Sequence, residues 1–211
     1  LGGLARVQLD EAAAAMEDLE GWFGRSPYPT LTLVHPPADA REAGGMEYPT
    51  LICTGGGEVG HALGMRSVQG VTTHELAHQW FYGLLGSDEH HHAFPDEGLT
   101  TFATARSLGR RFGDGAGFEG LGLSVSHWAF LRVGAARAWQ IGPLDRSVEE
   151  FPTGADYGVS VYPKTAVLME TLRRVYGDEA FGRAMQRYTS QHRYGHPKPD
   201  DLVAAVRDSM G

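Results

Sequence analysis

The sequence predicts one helix-rich α+β domain with a small N-terminal β-sheet. Three observations support this. Short strand-like segments lie between about residues 25 and 60, amphipathic helical patterns fill about 66–211, and no internal repeat, low-complexity linker or break in composition divides residues 1–211. A chain of 211 residues can bury a core without disulfide staples.

In chain order, Ala5 to Phe23 reads as a helix, with Leu9, Ala12, Ala13, Met16, Leu19 and Phe23 at three- and four-residue spacings opposite an acidic face. TLTLVHPP reads as a short strand ended by paired prolines, which cannot continue a ladder. A turn at Ala43-Gly44-Gly45 leads to a second strand, about Met46 to Thr54, closed by the triple glycine Gly55 to Gly57. From Ser67 to Leu85, Val71, His74, Leu76, His78, Phe81, Leu84 and Leu85 share overlapping helical faces until Gly86. Pro95-Asp96-Glu97 suits a first helical turn, so Glu97 opens a second helix running to Phe112. The glycine-rich stretch 113–155 is harder to read, although SVSHWAFLRVGAARAW carries a helical pattern. Helices are then expected at Pro163 to Tyr176, Asp178 to His192 and Pro199 to Ser209.

Composition excludes several classes. An apolar fraction of 42% and a charged fraction of 21% are ordinary for a globular domain, which argues against disorder and coiled coil. A formal charge of -8 with no basic run argues against a nucleic-acid partner. No apolar run approaches the roughly 20 residues that span a bilayer. The chain begins at Leu1 without a signal-peptide pattern, which reads as a processed product or an excised piece, so no compartment follows. Cys53 stands alone and reads as a small buried strand residue. Any metal must therefore be held by histidines and carboxylates.

The chemistry centres on His74-Glu75-Leu76-Ala77-His78, an H-E-x-x-H pattern within a helical stretch. Histidines at i and i+4 share one face, so two imidazoles can chelate one ion. A catalytic zinc takes a third protein ligand and keeps one position open. Glu97, separated from His78 by 18 residues, is suited to that place on a second helix alongside. His90, His91 and His92 compete for it, but their loop, SDEHHHAF, reads as solvated. Zinc acidifies water, and Glu75 is placed to take the proton as general base.

With HELAHQW, a glutamate 18 residues on, GGMEYP upstream and VYPKTAVLMETLRRVYG downstream, the chain resembles the gluzincin aminopeptidases. That is the family of aminopeptidase N and the leukotriene-hydrolysing bifunctional enzymes, and the similarity runs from about Phe23 to Val206. The resemblance implies a thermolysin-like catalytic domain with one zinc ion. It implies that Glu47, in Gly44-Gly45-Met46-Glu47-Tyr48, binds the free α-amino group of a peptide, with the glycines admitting the peptide backbone. Tyr48 stands where the family usually has asparagine. Tyr162 takes the family's catalytic tyrosine position, donating to the oxyanion, with Tyr157 as a second pocket residue. Thr165 replaces a common glycine, which is expected to narrow the groove. The resemblance implies flanking domains as further partners, outside these 211 residues if the chain is an excised piece and dispensed with if it is a compact relative.

The expected function is zinc-dependent removal of the N-terminal residue from peptides with a free N-terminus. The alternatives are a zinc endopeptidase, should the Glu47 anchor be ineffective, and a non-catalytic, zinc-stabilised peptide-binding or scaffold domain. Epoxide hydrolysis has no residue that calls for it.

Overall fold

The computed structural model describes residues 2–37, 39–55 and 57–210. Gly56 of the expected triple-glycine turn lies outside the described residues, as do Leu1 and Gly211. In chain order the elements are α1 (Gly2–Phe23), β1 (Thr32–Val34), β2 (Leu51–Cys53), α2 (Glu58–Ala62), α3 (Ser67–Ala77), α4 (Leu99–Phe112), β3 (Phe118–Gly120), β4 (Leu123–Val125), α5 (His127–Ala138), α6 (Gly154–Val159), α7 (Thr165–Tyr176), α8 (Asp178–His192) and α9 (Pro199–Met210). Two wider π-helical turns, Phe94–Gly98 and Ser160–Lys164, lead into α4 and α7. Helix thus dominates the described residues, and none of these helices is long and apolar enough to cross a membrane.

The core is built where α1, α3, α4, α7 and α8 meet, around Leu19, Leu76, Phe81, Phe102, Met169 and Phe181. The buried stripe of α1 departs from the apolar pattern. It runs through Gln8, Glu11, Ala12, Ala15, Asp18 and Leu19, while Leu9 and Ala13 face solvent. Polar partners explain the rotation. Thr73 of α3 and Arg111 of α4 both bond the Glu11 carboxylate, and Ser107 donates to Asp18 at 2.7 Å. Buried charges persist only when paired in this way, and the network ties the residue preceding His74 to two other helices.

The second strand is shorter than expected and its neighbours differ. Residues Leu51–Cys53 pair in parallel with Thr32–Val34. The chain reverses before them, with Thr50 at φ 63°, so Met46 returns as an antiparallel bridge on Cys53. Gly45 and Met46 both donate to the Cys53 carbonyl, at 2.8 and 3.2 Å, forming an edge rung. Cys53 itself is half-buried, not fully enclosed.

The helix expected to reach Leu85 stops at Ala77, with His78 at its C-terminal cap. The H-E-x-x-H segment therefore closes a helix and does not sit mid-helix. Tyr82, at φ 101°, is incompatible with helix, and Gly83 and Leu85 donate back to His78 and Trp80 in tight turns. Trp80, Phe81, Leu84 and Leu85 all stay buried, so the apolar spacing reports burial and not continued helix.

In the glycine-rich stretch, β3 and β4 form an unanticipated hairpin. Leu121 and Gly122 turn at φ 53° and 75°, the doubly positive geometry of a two-residue hairpin. Ser126 then caps α5 by accepting from the Ala129 amide at 3.2 Å.

The two π-helical turns pack together, and the first also meets the opening residue of α7. A Cβ on Gly98 would lie 2.4 Å from the Cβ of Thr165, so only glycine allows this approach. Thr165 is fully buried there, which corrects the expectation that it narrows a substrate groove. Gly98→Ala is expected to destabilise the fold by about 1–3 kcal/mol through overpacking, and pairing it with Thr165→Gly should recover part of the loss. Thermal unfolding of the single and double variants checks this, and an unchanged midpoint for Gly98→Ala would disprove it.

Candidate metal centre

His74 and His78 leave the last turn of α3 with ring centroids 4.9 Å apart, edge to face. Glu97 comes from the π-helical turn ahead of α4, which packs along α3. Each widened turn contains a proline: Pro95 opens the first, where an amide would have no helical partner, and Pro163 lies inside the second, where the missing amide removes one ordinary helical bond. Glu97 Oε2 lies 3.0 Å from His74 Nε2 and 3.3 Å from His78 Nε2. The three donor atoms all fall within 4.8 Å of one another. Tetrahedral zinc with ligands at 2.0–2.1 Å requires donor separations of about 3.3 Å. The spacing and the donor chemistry both suit that ion.

Burial alone would raise the Glu97 carboxyl. The hydrogen bonds and charges of His74 and His78 outweigh it and hold the group well below the usual carboxylate range. It is ionised as a ligand must be.

Glu75 is buried and its carboxylate makes no hydrogen bond among the described residues. Gly45 runs over it, its Cβ position 3.6 Å from Glu75 Oε1. Burial raises the Glu75 carboxyl to about 7, against the two imidazoles and with help from Glu47 and Glu97.

Glu47 is half-buried beside this group, and a carboxylate oxygen of it lies within 4.8 Å of ligating atoms of His78 and Asp96. Its backbone is pinned by Gln79, the residue after His78. Gln79 Nε2 donates to the Tyr48 carbonyl at 3.3 Å, and Gln79 Oε1 accepts from the Thr50 amide at 2.8 Å. Tyr48 is exposed. Gly44 is held to the neighbouring loop, where a Cβ would meet the Gly55 carbonyl at 2.6 Å.

Tyr162 lies in the second widened turn and stacks on His74, centroids 6.0 Å apart and planes 16° apart. Burial, and then the Glu97 charge, push its phenol well above the usual tyrosine value. Tyr157 meets Tyr162 edge-on at 6.3 Å and Phe151 at 5.4 Å, and burial pushes it up to about 12. Thus His74, Glu75, His78, Glu97, Glu47, Gly45 and Tyr162 come together. His90, His91 and His92 lie apart on the surface, paired with Glu149, Asp88 and Asp145 at 2.7, 2.8 and 2.6 Å.

Sequence reasoning missed the supporting residues Gln79 and Asp96. In the sequence Asp96 reads only as an acid suited to a first helical turn, and Gln79 only as a letter of a motif. Their adjacency to His78 and Glu97 was the available signal.

A helical scaffold presenting two imidazoles one turn apart and a carboxylate from the next helix is the arrangement used by H-E-x-x-H metallopeptidases. Residues 7–211 match the peptidase family M1 domain, and the chain belongs to that family. It is 28% identical over 209 residues to aminopeptidase N of Lactococcus lactis subsp. lactis, covering 96% of this chain and 24% of that protein. A mutant of the M1 zinc metallopeptidase from Deinococcus radiodurans superposes with TM-score 0.72 at 22% identity, covering 95% of this chain and 41% of the other. A mutant crystallised with a Tyr-Ser-Ala substrate gives 0.67 at 22% identity, with 93% and 40% covered. These likenesses show a shared fold. The chain spans about a quarter of the length of the curated relative.

Proposed function

We propose that residues 1–211 form a single thermolysin-like catalytic domain, with the small sheet at its N-terminal side, that acts as a zinc-dependent aminopeptidase. The reading rests above all on one observation. The three-donor set of His74, His78 and Glu97 shares its face with an unbonded Glu75 carboxylate and with Glu47. The M1 family match and the aminopeptidase N relatives support it, as does the tripeptide substrate of the Deinococcus enzyme.

His74, His78 and Glu97 hold the zinc, which acidifies water and polarises the scissile carbonyl when bound. Glu75 takes the proton of the attacking water and returns it to the leaving amine. With a proton affinity near neutrality, its carboxyl can do both. Tyr162 donates a hydrogen bond from its hydroxyl to the oxyanion that develops on the carbonyl. Glu47 pairs with the substrate ammonium by a charge-assisted hydrogen bond and so counts one residue from the peptide end. Gly44, Gly45 and Met46 present an edge along which the peptide backbone lies, and Tyr157 closes the pocket beside Tyr162.

Glu47→Ala is expected to lower kcat/KM on free-amine peptides about 10- to 100-fold while leaving the slow cleavage of N-acetylated peptides unchanged, as loss of one charge-assisted contact requires. Comparing the two substrates on parent and variant tests it. If the parent cleaves blocked peptides equally well, the enzyme is an endopeptidase. Bound zinc without any hydrolysis identifies a scaffold.

A further inference from the structure

We propose that Asp96 is a positioning residue for the metal centre, gripping the ring nitrogen of His78 that faces away from the metal. This rests on the zinc reading above. Asp96 Oδ1 lies 2.7 Å from His78 Nδ1, and both side chains are 1% exposed. The Phe81 carbonyl at 3.1 Å and Thr100 Oγ1 at 3.3 Å approach the same nitrogen. The hydroxyl can donate or accept, but a carboxylate and a carbonyl oxygen facing one buried nitrogen are tolerated only if that nitrogen carries a hydrogen. Nδ1 is therefore the protonated position, and the Nε2 lone pair is left for the metal.

The widened turn explains how adjacent acids reach opposite sides of one ring. A turn closed by i to i+5 bonds rotates less per residue than an α-helix. Asp96 and Glu97, consecutive in sequence, can therefore both point at α3, the first at Nδ1 and the second at Nε2. His74 has no such grip. Among the described residues it bonds Glu97 through Nε2, and its ring is held by stacking on Tyr162 and by the edge of His78. Asp96 thus supplies the orientational restraint for one imidazole that hydrogen bonding does not supply for the other.

Removing such an outer partner weakens metal binding about 10- to 100-fold. Zinc dissociation constants of the full chain, measured by chelator competition, should rise by that factor in Asp96→Ala. Asp96→Asn, whose amide oxygen still accepts from Nδ1, should keep most of the affinity. The visible bands of the cobalt-substituted protein should shift in the alanine variant and return toward wild type in the asparagine variant, which loss of a merely structural contact would not produce. Should the alanine variant fold poorly, zinc-loaded wild type still reports: a slowly exchanging His78 Nδ1 proton is expected by NMR, and its absence overturns the proposal. An alanine variant with wild-type affinity and an unshifted cobalt spectrum also overturns it. A wild-type chain that binds no zinc instead defeats the metal reading itself.

Discussion

Glu75→Gln is expected to keep its zinc and lose about 10²- to 10⁴-fold in turnover of aminoacyl chromogenic substrates, the range a positioned general base contributes. Glu75 is not among the three donors, and glutamine matches its shape. The variant therefore removes a basic oxygen and little else. The environment of that oxygen sets the size of the effect. The Glu75 carboxylate is buried beneath the Gly45 backbone and makes no hydrogen bond among the described residues, so nothing there competes for the oxygen that takes the proton. Zinc content and turnover are measured on the same preparation, and undiminished turnover with full zinc would remove Glu75 from the mechanism.

Tyr162→Phe is expected to lower kcat about 10²- to 10³-fold with little change in KM, the cost of deleting one oxyanion donor. The ring survives the change, so its stack on His74 at 6.0 Å and its edge contact with Tyr157 at 6.3 Å remain. The loss then falls on the transition state and not on the fold or on ground-state binding. Steady-state kinetics on a free-amine substrate separate these outcomes. A variant that raises KM with kcat intact would make Tyr162 a binding residue.

Much of the site was legible because its chemistry is local. The i, i+4 spacing places His74 and His78 on one helix face whatever the surrounding fold, and the length of chain before Glu97 suffices to bring a second helix alongside. The boundary between α7 and α8 was legible because Gly177 at φ 86° stops one helix and an acidic first turn starts the next. What escaped depended on tertiary partners. The end of α3 is set by Tyr82 and by turns closed on His78 and Trp80, none of which alters apolar spacing. The buried face of α1 carries Glu11 and Asp18 because α3 and α4 present Thr73, Arg111 and Ser107 to them. The widened turns at Pro95 and Pro163 read in sequence as plain helix starts. Their extra width is visible only once the helices are packed.

The meeting of Gly98 and Thr165 reaches beyond stability. It makes the gap between Glu97 and Tyr162 a joint property of α4 and α7, since the first widened turn rests against the opening residue of α7, directly after the second. A lineage that enlarges one side of this joint must shrink the other, so the two positions are expected to drift as a pair. The glycine can pass from position 98 to position 165 while the donor carboxylate and the phenol keep their separation.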